Sequence, residues 1–209
     1  MNDYPPLEVK VWGDWACFTR PEMKAERVSY PVMTPSAARG VLEAIFWKPE
    51  ISWKIREIWV LKEIQYFSIL RNEVNSKASS RTAQSHYFAE EDRAQRHTLA
   101  LREVAYIIKA DIALRPHATD DPAKYRDQFR RRVDRGQCYH RPYLGCREFS
   151  AGFGPQDGSE QPLTQDMGLG LMLFDLDYAK DRSGRGTPKF FQAKLDQGVL
   201  RVPSELYAA

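Results

Sequence analysis

The chain has 209 residues, of which 43% are hydrophobic and 28% charged, with a formal net charge of +3. That length and balance mark a soluble globular protein with a real core, either one domain with an appendage or two small domains. No run approaches the roughly 18 apolar residues of a membrane span, and no charged-then-apolar leader opens the chain, so a cytoplasmic protein without a membrane partner is expected. Residues 7–18 read as a strand, with Leu7, Val9 and Val11 alternating with charged positions before Gly13. Thr34-Pro35 caps a helix to about Trp47, whose Ala38, Val41, Leu42, Ile45 and Phe46 form a broad apolar face, and Pro49 stops it. Residues 51–64 and 99–114 are rich in β-branched and aromatic side chains and read as long strands. The connection between them, at about 72–97, is too long for a tight turn and is either a mobile loop or a projecting β-ribbon. A second helix spans 121–135, and a short sixth element, read as a strand, spans 144–149. Beyond a Gly152-Phe153-Gly154-Pro155 linker, 169–176, 189–195 and 199–202 suggest a small meander.

The order strand, helix, strand, strand, helix, strand is that of an α+β ferredoxin-like split βαβ. The expected division is therefore a ferredoxin-like domain at 1–150, with the basic insertion at 72–97, and a small antiparallel β subdomain at 151–209. That frame hosts many activities, RNA binding among them.

The second helix is the most informative segment. Asp121 suits the N-cap, Pro122 the first turn and Gly136 the stop. Tyr125, Phe129 and Val133 make one apolar stripe, and Lys124, Gln128, Arg131 and Arg135 line up beside it. Such a helix can rest on a sheet and still present a row of cations at its edge, with the helix N-terminus adding partial positive charge near Lys124. Charge is also concentrated here: positions 71–147 carry sixteen Lys/Arg against ten Asp/Glu. A basic middle in a near-neutral chain is a footprint for an anionic partner. A solvated basic face is the plain alternative. Cys17, Cys138 and Cys146 are odd in number and contain no Cys-x-x-Cys pair, which fits reduced thiols. Cys138, His140 and Cys146 lack the usual spacing of a zinc site.

Three strings carry a family resemblance: Trp12-Gly-Asp-Trp-Ala-Cys-Phe-Thr, Gly40-Val-Leu-Glu-Ala-Ile-Phe-Trp-Lys-Pro49 and Tyr143-Leu-Gly-Cys-Arg-Glu-Phe149. In this order they resemble the crRNA-processing endoribonucleases of type I-C CRISPR systems, members of the RAMP superfamily. The resemblance implies a nuclease that binds the repeat hairpin, cuts at its 3′ base and retains the 5′ handle. It would serve antiviral defence inside a surveillance complex with backbone, large and small subunits. The alternative is a catalytically weak handle-binding scaffold of that complex. A small-molecule enzyme on the same frame is a third class, and the sequence lacks the Gly-rich nucleotide loop such an enzyme would need. The same basic surface leaves non-specific DNA binding open.

Cleavage through the RNA's own 2′-hydroxyl needs a base, an acid and cations on the phosphorane, but no metal or other cofactor. No carboxylate cluster of the two-metal kind stands in the sequence. The resemblance implies a catalytic Tyr at the end of the first helix and a Lys-His pair at the start of the second. Those positions hold Phe46, Lys124 and Tyr125. Lys124 then stabilises the phosphorane, and Tyr125 or the nearby loop residue His117 transfers the proton. Tyr125 on the apolar stripe also reads as core, as does Phe46. Expected RNA contacts are Arg131 and Arg135, then Arg39 and Lys48 flanking the first helix, Arg81, His86 and Tyr87 in the long connection, and Arg147. Tyr139 and His140 beside Arg141 fit either a base-stacking pair or a turn. Gly152 and Gly154 either admit a phosphate to the backbone or make the linker turn.

Overall fold

The computed structural model describes residues 4–23, 25–76, 88, 90–178 and 186–207. It is a mixed α/β structure of one curled, largely antiparallel sheet and few helices. The elements are β1 (Leu7–Ala16), β2 (Arg27–Val28), α1 (Pro35–Ile45), β3 (Ile51–Val60), β4 (Tyr66–Val74), β5 (Arg93–Leu114), α2 (Pro122–Asp134), β6 (Gly152–Gly154), β7 (Met167–Tyr178), β8 (Gly186–Asp196) and β9 (Val199–Arg201), then a 3-10 turn at Ser204–Tyr207. The strands lie in the order β6-β1-β5-β3-β9-β8-β7, and β2 and β4 pair with β5 off this path.

Alternation in the sequence explains which face is covered. Leu7, Val9 and Val11 of β1 are buried, as are Ile51, Trp53 and Ile55 of β3. The register of β3 on β5 shifts between Ile55 and Glu57. This one-residue irregularity keeps Ile58 and Val60 on the buried side, which strict alternation from Ile51 would have turned outward. Tyr207 secures it: its hydroxyl accepts from Ile55 N at 2.8 Å and donates to Ile55 O at 3.2 Å.

Both helices begin and end as their sequences dictate. Thr34 Oγ1 accepts from Ala37 N ahead of α1, and the Asp121 carboxylate accepts from Ala123 N at 2.7 Å ahead of α2. Such caps contribute about 1 kcal/mol each. After α2, Gly136 takes a φ of 61°, while Gln137 N reaches Arg132 O and Gly136 N reaches Val133 O. That is a Schellman closure, which a left-handed glycine allows. Trp53 of β3 joins the two helices. Its ring meets Phe129 of α2 edge-on, 4.8 Å between centroids, and its Nε1 donates to Phe46 O at the end of α1.

The structure refines the sequence reading in several places. Residues 144–149 form turns rather than a strand. The strand that flanks β1 is the three-residue β6, within the segment read as a linker. Its two glycines lie beneath the Trp12 ring, and a Cβ on Gly152 would meet that ring at 2.6 Å, so they admit an indole rather than a phosphate. The long connection begins and ends as a β-ribbon: β4 pairs with the first half of β5 from Tyr66↔Leu101 to Val74↔Arg93. The C-terminal strands also continue the same sheet, because β9 pairs with β3.

The 143–150 loop packs directly on the end of β1. Gly145 holds a φ of 85°, and a Cβ there would lie 2.0 Å from Cys17 O. Gly136, with a similar φ, faces open space. Gly145→Ala is therefore expected to lower the unfolding free energy by at least ~2 kcal/mol, and Gly136→Ala by only about 1 kcal/mol. Urea titration of the two variants measures the difference.

Candidate active site and nucleic-acid interface

The first turn of α2 packs beside the turn that leaves α1. Glu50 O accepts from Arg115 N at 2.8 Å, and Pro49 O accepts from His117 Nε2 at 3.1 Å, which pins the β5–α2 connection to the α1–β3 turn. A carbonyl oxygen only accepts, so Nε2 is the donor in this contact and Nδ1 is left free of it. Lys124 Nζ is exposed and meets Asp120 at 2.7 Å. The hydrogen bond and charge of Asp120, with a smaller contribution from Glu50, raise the Lys124 pKa, so the amine stays cationic at neutral pH.

The neighbouring positions do not support proton transfer. Tyr125 is 3% exposed and belongs to the core stripe with Phe129 and Val133. Burial raises its phenol, and the nearby Glu50 and Asp120 add to the rise. This overcomes the lowering by Lys124 and is the wrong direction for a base at neutral pH. Tyr125 thus packs in the core, as one of the two sequence readings had it. Phe46 is fully buried.

The carboxyl end of α1 has an unusual electrostatic finish. A helix C-terminus exposes carbonyls and repels anions. Here Ala44 O accepts from Tyr139 N at 2.9 Å and His140 N at 3.3 Å, Ile45 O from Arg132 Nη1 at 2.6 Å, and Phe46 O from Trp53 Nε1 at 3.1 Å. Arg132 also lies 5.3 Å from the Phe46 ring centre. The negative end of the helix is covered by donors, one of them a guanidinium, and a phosphate can lie near it.

Lys48, Arg131, Arg135 and Arg141 are exposed around this end, and no ion pair engages them among the described residues. Arg131 and Arg135 stand one turn apart on α2, on either side of Arg132, so the sequence stripe survives folding as a set of available cations. Arg39 does not join them. It is held by Glu43 at 3.0 Å and Asp175 at 2.6 Å, fastening α1 to β7. Arg147 is exposed but lies in the 143–150 loop, beside the Arg71–Glu148 pair. Arg81, His86 and Tyr87 lie outside the described residues. Sequence reasoning missed Arg132 and Trp47, and the clustering of basic residues at 130–132 was the only available signal for Arg132.

On the opposite, helix-free face of the sheet several cations are paired. Lys10 meets Glu160 at 2.8 Å, Lys109 meets Glu8 at 2.9 Å, and Arg56 meets Asp111 at 2.9 Å. Among the described residues, no three or more His, Cys, Asp or Glu side chains converge as a metal site, and no helix is long and apolar enough to cross a membrane.

A family model described as CRISPR-associated protein (Cas_Cas5) matches residues 6–203. The chain belongs to this family. A Cas5 relative from Thermus thermophilus named CRISPR pre-crRNA endoribonuclease Cas5d is 50% identical over 216 residues, covering 96% of this chain and 93% of the relative. A protein of the same name from Mannheimia succiniciproducens is 43% identical and covers 94% of each. Among solved structures, one titled as a CRISPR-associated protein superposes with a TM-score of 0.70 at 21% identity, covering 96% of this chain and 93% of that one. A chain of a CRISPR RNA-guided surveillance complex superposes with a TM-score of 0.54 at 13% identity, covering 96% and 92%. These two likenesses show the shared Cas5 fold.

Asp120 competes with any phosphate for Lys124. Asp120→Asn is expected to tighten RNA binding about threefold at low salt, with the gain vanishing above ~0.5 M salt. Filter binding across a salt series checks this.

Proposed function

We propose that this chain binds the hairpin of a CRISPR repeat transcript, cuts it without a metal ion and keeps the 5′ handle inside a type I-C surveillance complex. The complex would supply the backbone, large and small subunits. The observation that carries this reading is a cationic Lys124 at the start of α2 and a hydrogen-bonded His117, both by the Pro49–Glu50 turn, with exposed cations that lack ion pairs among the described residues towards the other end of α2. The kinship supports it, since relatives alike over nearly the whole chain are named pre-crRNA endoribonucleases. The β6-β1-β5-β3 order, with a helix after β1 and another after β5, supports a ferredoxin-like frame. In that reading the frame closes with β6, and the β7–β9 strands form a small unit on its β3 edge.

The chemistry follows from the site. His117 Nδ1 takes the proton of the 2′-hydroxyl, and O2′ attacks the adjacent phosphorus. Lys124 balances the charge that grows on the phosphorane oxygens. The bond to the 5′-oxygen breaks, and that oxygen takes a proton from water, leaving a 2′,3′-cyclic phosphate. Arg131 and Arg135 hold flanking phosphates. A second reading, slow or absent cleavage by a handle-binding scaffold, is favoured by the phenylalanine at position 46, which has no proton to transfer, and by the burial of Tyr125.

Single-turnover cleavage of labelled repeat RNA in EDTA separates the readings. A discrete cut is expected. Lys124→Ala should slow it by about 10²-fold or more and weaken the hairpin a few-fold, and His117→Ala should slow it by about 10²- to 10⁴-fold with hairpin affinity changed little. Wild-type rates in Lys124→Ala would remove that residue from the site. No cut at all would leave the scaffold. A single 2′-deoxy substitution at the cut should abolish cleavage and preserve binding. Binding should fall steeply with salt, and Arg131→Ala and Arg135→Ala should each reduce the slope by about one. A DNA copy of the hairpin tests non-specific binding by the same cations.

A further inference from the structure

Two aromatic side chains are displayed to solvent at the carboxyl end of α1: Trp47, 53% exposed, and Tyr139, 81% exposed. His140 sits beside Tyr139 with the ring centres 5.9 Å apart. Their backbone is firmly seated. The Tyr139 and His140 amides both close on Ala44 O, and Trp47 directly follows Phe46, whose carbonyl is held by Trp53 and whose ring is covered by Arg132. Large rings on an ordered backbone lose little freedom on binding. Lys48 and Arg141 adjoin them in the chain, and Arg131 and Arg135 lie close in sequence to Arg132, which reaches Ile45 O; none of the four is in an ion pair among the described residues, while Glu43 of α1 is occupied by Arg39. The nearest acids in the sequence are Glu50, whose Oε2 is buried without a hydrogen-bond partner, and Asp134, which is exposed.

Resting on the RNA-binding reading above, we infer that Trp47 and Tyr139, with His140 beside the latter, form a stacking seat for unpaired bases of the transcript next to the Lys124 site. A protein partner would cover apolar rings without needing a ring of free cations, whereas single-stranded RNA uses both: bases on the rings and phosphates on the cations. A hairpin's bases are already stacked, so the nucleotides that fit are those flanking its stem.

The test compares two RNAs with the full chain: the repeat hairpin with its unpaired flank, and the same hairpin cut back to a blunt stem. Trp47→Ala and Tyr139→Ala are each expected to weaken the flanked RNA by about fivefold to a hundredfold and to leave the blunt RNA unchanged. Trp47→Phe and Tyr139→Phe should keep most of the affinity, since both retain a ring. A 2-aminopurine in the flank should lose fluorescence on binding wild type and regain it in the Ala variants. Cys138 is the exposed one of the three cysteines and adjoins Tyr139, so flanked RNA should slow its labelling by maleimide while blunt RNA should not. Equal losses on both RNAs, or none on the flanked RNA, would overturn the seat. Should Trp47→Ala not fold, the Tyr139 variants decide alone, because that side chain is almost wholly in solvent. If wild type bound neither RNA in a salt-dependent way, the RNA-binding reading itself would fail, a different result from the loss of the seat alone.

Discussion

The arrangement of the site depends on Trp53. Its indole is 2% exposed in β3, and it touches the last carbonyl of α1 with its nitrogen and the middle of α2 with its ring. A buried indole needs a partner for its N–H, and here that partner is the residue where α1 must stop. The hydrophobic packing that seats α2 on the sheet and the polar contact that ends α1 are thus one side chain. The Lys124 end of α2 and the Pro49 turn are brought together as a consequence. Truncating Trp53 would loosen both helices while leaving every charged residue of the site in place.

Charge is divided between the two faces of the sheet. On the helix-free face, lysines and arginines meet carboxylates at hydrogen-bond distance. On the helical side, the cations near α1's end lack such partners, and the helix carbonyls beside them are covered by donors. A modest net charge therefore conceals a strongly polarised molecule. What matters for a polyanion is which cations are free, not how many there are.

Much of this was legible in the sequence, for definite reasons. The 3.6-residue stripe of Tyr125, Phe129 and Val133 and the caps at Asp121 and Gly136 fix α2 locally, so both the helix and its cationic edge could be read. Lys124 is placed by the same logic. Burial could not be read at single positions: Tyr125 was ambiguous because a tyrosine on an apolar stripe can be core or catalyst, and only packing decides. Arg39 looked available because its partner Asp175 lies 136 residues away. The strand β6 was invisible, being three residues with two glycines, which pair with β1 and leave room for the Trp12 ring. Arg132 was hidden among neighbouring arginines, since its contact is with a carbonyl of another helix.

The continuity of β5 has a mechanical consequence. One strand of 22 residues runs from the ribbon into the centre of the sheet, where it lies between β1 and β3. Glu103, with a φ of 50°, is skipped in the pairing between the two parts, and the register on β1 resumes unchanged on either side of it. From Leu101 to Arg93 the ribbon extends by ~27 Å. It is therefore a cantilever clamped in the middle of the molecule, not an appendage hinged at its edge. Whatever rests on its far end is held at a set span from the first turn of α2, in the manner of a caliper with one fixed jaw.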